Sequence, residues 1–238
     1  MFLCQVGDSM NSEDKVERAI RDLKNGKIVL IHDSDAREDE TDLILAAQFA
    51  DKESIKTLRR DGGGLIVLMI SSEIAEKFDL KYLADIYQDI SDRYPTLGRL
   101  VPLDLPYDTK SSFSISINHR ETFTGISDID RSLTARRFAE LAGSGSIDDF
   151  IREFRSPGHV PICIARKGLI RERKGHTELA VTLLKISNLI PVALGCEMMG
   201  EDGRSLSREL AERYAREKNL IFLEGYEVEE AAEKWLGC

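Results

Sequence analysis

The chain has 238 residues, 42% of them hydrophobic and 32% charged, which is enough apolar material for a packed core and far from the composition of a disordered chain. Its 33 Lys+Arg against 42 Asp+Glu leave a formal charge of −9, and without a basic cluster this argues against nucleic acid or an anionic membrane as a partner. Cys4, Cys163, Cys196 and Cys238 stand too far apart for a zinc-ligand pair or a disulfide framework, no apolar run approaches the ~18 residues of a membrane span, and the start has no signal-peptide pattern, so a soluble, cytoplasmic protein is expected.

Residues 1–13 read as a loose N-terminal extension and 14–238 as one domain. Val16, Ala19, Ile20 and Leu23 share a helical face that stops at Asn25-Gly26. Ile28–Ile31 and Leu43–Ala47 read as buried strands around an acidic loop. Ser54 is expected to cap a short helix that ends in Gly62-Gly63-Gly64, where close backbone approach or unusual dihedrals are possible. Leu65–Ile70 reads as a strand and Ile74–Phe78 as a helix. From 81 to 110 the periodicity is poor, with Pro95, Pro102 and Pro106 interrupting it, which predicts a long connection. Ser112–Asn118 alternates as a strand with one wet face. Helices over 133–141 and 147–154 precede a loop at Arg155–Gly158 and a strand at Val160–Ala165. A basic turn opens a helix through Asn188, Pro191–Glu197 is a strand and 198–204 a loop. A helix to Asn219, a short strand at Ile221–Leu223 and a helix over 228–236 complete the chain. The mixture, with no internal repeat, predicts an α/β (α+β) fold with a mixed sheet flanked by helices.

The acidic loop holds Asp33, Asp35, Glu38, Asp39, Glu40 and Asp42 within ten residues, with Arg37 among them. Like charges this close repel by roughly 1 kcal/mol per pair even in water-like surroundings. A loop pinned between two strands cannot move them all apart, so a divalent cation with oxygen ligands is the economical expectation, against the plainer alternative of a solvated acidic loop. A calcium-binding EF-hand loop fails on spacing, because counting from Asp33 puts Glu38 where glycine is needed and Ile44 where glutamate is needed.

The other informative segment is Arg173-Lys174-Gly175-His176-Thr177-Glu178. Free N–H groups and the dipole at a helix start suit a phosphate, and here they come with Arg173, Lys174, a flexible Gly175 and Thr177 as the expected N-cap. His176 is available as a metal ligand or proton carrier; the alternative is that Thr177 only caps and His176 is a surface residue. His159 sits on a turn and Glu197 at a strand end, each either structural or an acid/base group. Thr122–Ser127 sets hydroxyls around a glycine as a weaker second phosphate cradle.

Asp33-x-Asp35-x-Arg37-Glu38-x-Glu40-x-Asp42, Thr124-Gly-Ile-Ser-Asp-x-Asp-Arg131, Ser156-Pro-Gly-His159, Arg173-Lys-Gly-His176-Thr-Glu178 and Cys196-Glu197, in this order, resemble the 3,4-dihydroxy-2-butanone 4-phosphate synthases of riboflavin biosynthesis, in their stand-alone archaeal form. The resemblance covers residues 14–236. It implies conversion of D-ribulose 5-phosphate to L-3,4-dihydroxybutan-2-one 4-phosphate and formate, with Mg2+ or Mn2+ as cofactor, two per active site, and a homodimer with sites near the interface. It also implies Glu38 and His176 as metal ligands. Arg37, Glu38, Asp42, Thr124, Arg173, Lys174, Gly175, His176, Thr177 and Glu197 would surround the substrate, with Glu38, His159, Glu197 and Asp33 as catalytic groups. Val67 stands where several relatives carry a cysteine. The alternatives are another metal-dependent sugar-phosphate aldolase or isomerase, or a metal- or phosphate-binding module without catalysis.

Overall fold

Strands β1 (Val29–His32) and β2 (Thr41–Ala46) form an antiparallel hairpin in which every residue is buried. The apolar runs without alternation follow from this, because both faces of the sheet are covered. The computed structural model describes residues 11–102, 104, 108 and 110–236, so Cys4, Pro106, Cys238 and most of the expected extension lie outside the described residues. Helix α1 (Ser12–Lys24) precedes the hairpin, capped by the Asn11 side chain and ended at Asn25 with Gly26 at φ +70°. After the hairpin come α2 (Lys52–Thr57), β3 (Val67–Ile70), α3 (Ser72–Lys77), α4 (Leu83–Asp89), α5 (Pro95–Arg99) and β4 (Phe113–His119). The remainder is α6 (Asp128–Ser144), α7 (Ile147–Glu153), β5 (Phe154–Ile164), α8 (His176–Ile186), β6 (Val192–Glu197), α9 (Arg208–Lys218), β7 (Phe222–Glu224) and α10 (Gly225–Leu236).

The seven strands form one mixed sheet in the order β4-β5-β3-β6-β2-β1-β7, with β3/β5 and β1/β7 parallel and the other pairs antiparallel. Alternate residues feed two cores. Leu30, Leu43, Leu45, Leu68 and Leu194 pack with residues of α2, α3, α6 and α9. Val29, Ile31, Ile44, Met69 and Ala193 pack with α1, α8 and α10 on the opposite face. Helix α8 is buried on all sides except Lys185, so its N-terminus, with His176, Thr177 and Glu178, is carried inside the protein.

Four local expectations are corrected. The cap of α2 is Asp51, with Ser54 as its reciprocal partner at the third helical position. The 81–110 connection contains α4 and α5; Pro95 opens α5, where a missing N–H costs nothing, and these helices bury only Ala84 between them, which leaves no periodic signal. Arg155–Gly158 belongs to β5, whose register with β4 shifts between Ile117 and Asn118. A Cβ at Gly158 would meet the Ile117 carbonyl carbon at 2.0 Å, so glycine and proline here mark an irregular strand and not a loop. The same shifts undo the wet face expected of β4, burying Ser114, Ile117, Asn118 and His119 while Phe113 is exposed.

Phe138 is fully buried, with ring centroids of Phe78, Phe150 and Phe154 at 5.6, 5.8 and 6.0 Å. Phe138→Ala is expected to cost about 3–5 kcal/mol of stability in urea unfolding, and a loss below about 1 kcal/mol would contradict this packing.

Candidate active site

The hairpin loop folds around Asp33. Its buried carboxylate accepts the Glu38 N–H at 3.2 Å, the Glu40 N–H at 3.1 Å and Arg37 Nη1 at 3.1 Å. Burial would raise its pKa, but His176 and these N–H groups outweigh burial and hold it below the usual value. Asp35 and Asp39 turn outward, their carboxylates 3.4 and 3.6 Å from Nε2 of the buried His32. Glu38, Glu40 and Asp42 turn inward and line a cavity of about 360 Å³ together with Glu197, Arg173, His176 and Thr177. The loop thus sorts its acids into two sets, which the sequence pattern does not distinguish.

The opposite wall is the start of α8. Its N-cap is Gly175 and its first residue His176, so Thr177 is the second helical residue and not the cap. Gly175 has an ordinary φ of −92°, and flexibility is not its role. A Cβ there would meet Arg173 Nη1 at 2.0 Å, because the guanidinium lies across the glycine. Arg173 donates from Nη1 to Glu178 at 2.6 Å and from Nε to Asp108, and its Nη2 lies 3.7 Å from Glu38 Oε1. Glu178 is fully buried and accepts the Arg166 N–H at 2.8 Å as well, which fixes the guanidinium. Lys174 is exposed and turns the other way, pairing with Glu229 of α10 at 2.5 Å, so the structure leaves it out of the cavity.

Glu38 joins the two walls. Its carboxylate lies 3.2 Å from Arg37 Nη2 and 3.5 Å from His176 Nδ1. Burial opposes a charge on Glu38, but His176 and Arg37 prevail and lower its pKa. Burial likewise opposes a charge on His176, yet Asp42, Glu38 and Asp33 raise its pKa to about 10. The imidazolium then donates from Nε2 to the Glu40 carbonyl at 3.2 Å. Ligand atoms of Asp33, Glu38 and His176 lie within 4.8 Å of one another. Two carboxylates and an imidazole suit a hard or borderline divalent cation, so the donor set fits the metal expected from the loop, with Asp33 adjoining the two ligands expected.

The remaining acids cluster at one end of the sheet. Asp42 and Glu197 are direct cross-strand partners on β2 and β6. Burial first, and then Glu197, Glu38 and Asp33, push the Asp42 carboxyl up to about 6. Burial and Glu197 push the Glu40 carboxyl up to about 7. Ser205 Oγ lies 3.0 Å from Glu40 and 2.9 Å from Glu197. The one hydroxyl proton serves a single carboxylate at a time, so Ser205 ties the two glutamates together without neutralising both. Gly64 allows this placement, since a Cβ there would meet Glu197 Cβ at 2.9 Å. Val67 lines the floor with Met69 and Cys163, whose thiol burial pushes up to about 12.

Thr124 and His159 stand apart from this cavity. Thr124 Oγ1 contacts Asp130 at 3.4 Å, and Gly125, at φ +94°, lies against the Asn118 amide. Asn118 accepts the His159 N–H at 2.8 Å and its Nδ2 is 3.0 Å from His159 Nδ1. The amide therefore donates to Nδ1 and the ring proton sits on Nε2, which the exposed side chain leaves available. Glu40, Asp108, Glu178 and Ser205 were absent from the expected catalytic and binding set; Glu40 and Glu178 lay within recognised motifs, whereas Asp108 and Ser205 sit in segments with no pattern to single them out.

Gly175→Ala should fold, because only the far end of Arg173 must move, but should weaken inorganic phosphate binding about tenfold. Calorimetry showing unchanged affinity would contradict the close approach.

The model of the family described as 3,4-dihydroxy-2-butanone 4-phosphate synthase matches residues 17–231. A relative of that name from Methanothermobacter thermautotrophicus is 46% identical over 217 residues, 91% of this chain and 95% of the relative. Another from Archaeoglobus fulgidus is 41% identical over 224 residues, 92% and 94%. A solved 3,4-dihydroxy-2-butanone 4-phosphate synthase in complex with two magnesium ions superposes with a TM-score of 0.76 at 26% identity, covering 93% of this chain and 98% of that one. The Candida albicans enzyme gives 0.71 at 27% identity, covering 90% and 95%. The mixed sheet with flanking helices is the architecture these structures share. By sequence and by fold, this chain belongs to the 3,4-dihydroxy-2-butanone 4-phosphate synthase family, lyases of riboflavin biosynthesis.

Proposed function

We propose that the protein converts D-ribulose 5-phosphate into L-3,4-dihydroxybutan-2-one 4-phosphate and formate in the cytoplasm, with residues 14–238 as one catalytic unit. Among the described residues no helix is long and apolar enough to cross a membrane. The observation that carries the reading is the position of Glu38, 3.7 Å from Arg173 and 3.5 Å from His176 in one cavity. An anion at the helix start and a cation on the hairpin loop would then meet the same small molecule.

Arg173, Arg37 and the α8 N–H groups would bind the phosphate and lower the entropy cost of orienting the sugar. Gly175 would admit the guanidinium and Thr177 line the wall, while Lys174 stays outside. Glu38 and, once its ring proton is released, the neutral imidazole of His176 would hold Mg2+ or Mn2+, two ions per site, as the two-magnesium relative supports. A divalent cation supplies Lewis-acid stabilisation of the negative oxygens that form when a proton leaves the carbon beside the ketone. Glu40 and Asp42, poised near neutral pH, and Glu197 would accept and return the protons of enolisation, dehydration and carbon shift. Asp33, spent on loop N–H groups and Arg37, would hold the others in place. The overall change needs no oxidant, since every carbon, hydrogen and oxygen of the substrate is found in the two products with nothing added or removed.

His159 and Thr124 enter this reading through a second copy of the chain. Beside them Phe123, Ile126 and Ile129 are 94, 52 and 65% exposed, an apolar surface that a homodimer would cover while delivering both residues to the partner's cavity.

Purified protein with ribulose 5-phosphate and Mg2+ should release formate, stop in EDTA and recover with Mg2+ or Mn2+; isomerised sugar without formate would reject the reading. Glu38→Gln and His159→Ala should each lose at least about 100-fold in kcat. Mixed and refolded together, the two inactive variants should regain roughly a quarter of wild-type activity, since half the dimers are mixed and each holds one intact site. No recovery would mean that Glu38 and His159 act within one chain.

A further inference from the structure

Among the described residues, Asp108 is the one acid of the cavity that comes from neither the hairpin loop nor β2 and β6, and it sits at the basic end. Its carboxylate is 8% exposed. Oδ2 accepts the Arg173 Nε–H and lies 4.0 Å from Arg37 Nη2, while Oδ1 lies 3.9 Å from Arg166 Nη2 and accepts the Lys110 N–H at 3.4 Å. Three guanidiniums, with side chains only 14, 14 and 11% exposed, thus face one carboxylate. Arg166 is held in that attitude independently. Its Nη2 donates to the Lys110 carbonyl at 2.8 Å, and its Cζ stacks 4.8 Å from the Tyr82 ring centroid.

A phosphate at the α8 start would meet the same guanidinium that Asp108 holds: Nη1 and Nη2 of Arg173 lie over Gly175, and Asp108 is bonded at its Nε. Guanidinium forks bind carboxylate and phosphate with the same donors, so the two anions compete for one place. An anion tethered by its own chain acts at an effective concentration of about millimolar or more. A free anion must exceed that competitor to enter.

We propose that Asp108 is a selectivity-determining residue, the resting counter-ion of the phosphate pocket. The substrate's phosphate replaces its carboxylate among Arg37, Arg166 and Arg173, and anions that grip these groups no better than a single carboxylate do not. This rests on the phosphate position proposed above. A dianionic phosphate has the charge and the oxygens to engage several guanidiniums at once; formate, the monoanionic product, does not. The pocket therefore takes up the sugar phosphate in the presence of small carboxylates.

The test is calorimetric binding of inorganic phosphate and of formate at pH 8 to the wild-type protein, Asp108→Asn and Asp108→Ser, with melting temperatures to verify folding. Both variants should bind phosphate about tenfold more tightly than wild type, because the fraction of pockets already open no longer limits affinity. Formate binding should become measurable in the variants alone. Equal or weaker phosphate binding in both variants would overturn the proposal, since Asp108 would then serve only to hold Arg173. Absence of phosphate binding in all three proteins would overturn it too. The readout involves no turnover, so wild-type protein that fails to release formate from ribulose 5-phosphate would sink the synthase reading and leave this result intact.

Discussion

The contact on which the site depends is the one between Glu38 and the start of α8. Three carboxylates, Asp33, Glu38 and Asp42, converge on one imidazolium, His176, and burial raises the cost of every unpaired charge among them. The positive partners come from a segment about 135 residues further along the chain, so the hairpin loop is stable in this form only when the sheet and α8 are assembled. Arg37 helps from within the loop, but its fork is divided between Asp33 and Glu38. The charge pattern and the tertiary structure therefore specify each other.

The fold supplies this meeting point by simple means. Pairing of β2 with both β1 and β6 sets Asp42 beside Glu197 and leaves the hairpin loop over the same sheet end. Helix α8 lies across the sheet with apolar residues on nearly every side, which drives its polar first turn inward with the rest. Two glycines then permit approaches that any side chain would block: Gly175 beneath Arg173, and Gly64 against Glu197. Neither uses a left-handed conformation at these positions; what each provides is the absence of a Cβ.

Much of this was legible in the residues, for physical reasons that differ from element to element. Strands β1, β2, β3 and β6 read correctly to within two residues at their ends, because burial on both faces makes their centres apolar runs. The acidic loop and the basic helix start were conspicuous because their charges are neighbours in sequence. Sequence neighbours need not be neighbours in space, and Lys174 illustrates it: one residue from Arg173, it points to α10 while Arg173 points to the cavity. Asp108 and Ser205 illustrate the converse, single polar residues whose partners come from other elements. The irregular course of β5 and the helices α4 and α5 were hidden because proline and glycine signal an interruption without saying whether it is a loop, a bulge or a helix start.

Thr124 and His159 share a surface through Asn118, away from the cavity lined by Glu38, Asp42, Arg173, His176, Thr177 and Glu197. That separation is what gives the proposed second copy a chemical purpose. The central claim, that one cavity grips a phosphate at Arg173 and a cation at Glu38, is tested most directly by the 31P signal of ribulose 5-phosphate bound to the slow His159→Ala protein in the presence of substoichiometric Mn2+. The account predicts strong paramagnetic broadening of the bound phosphate that disappears in Glu38→Gln. A sharp signal while Mn2+ and sugar phosphate are both bound would contradict it.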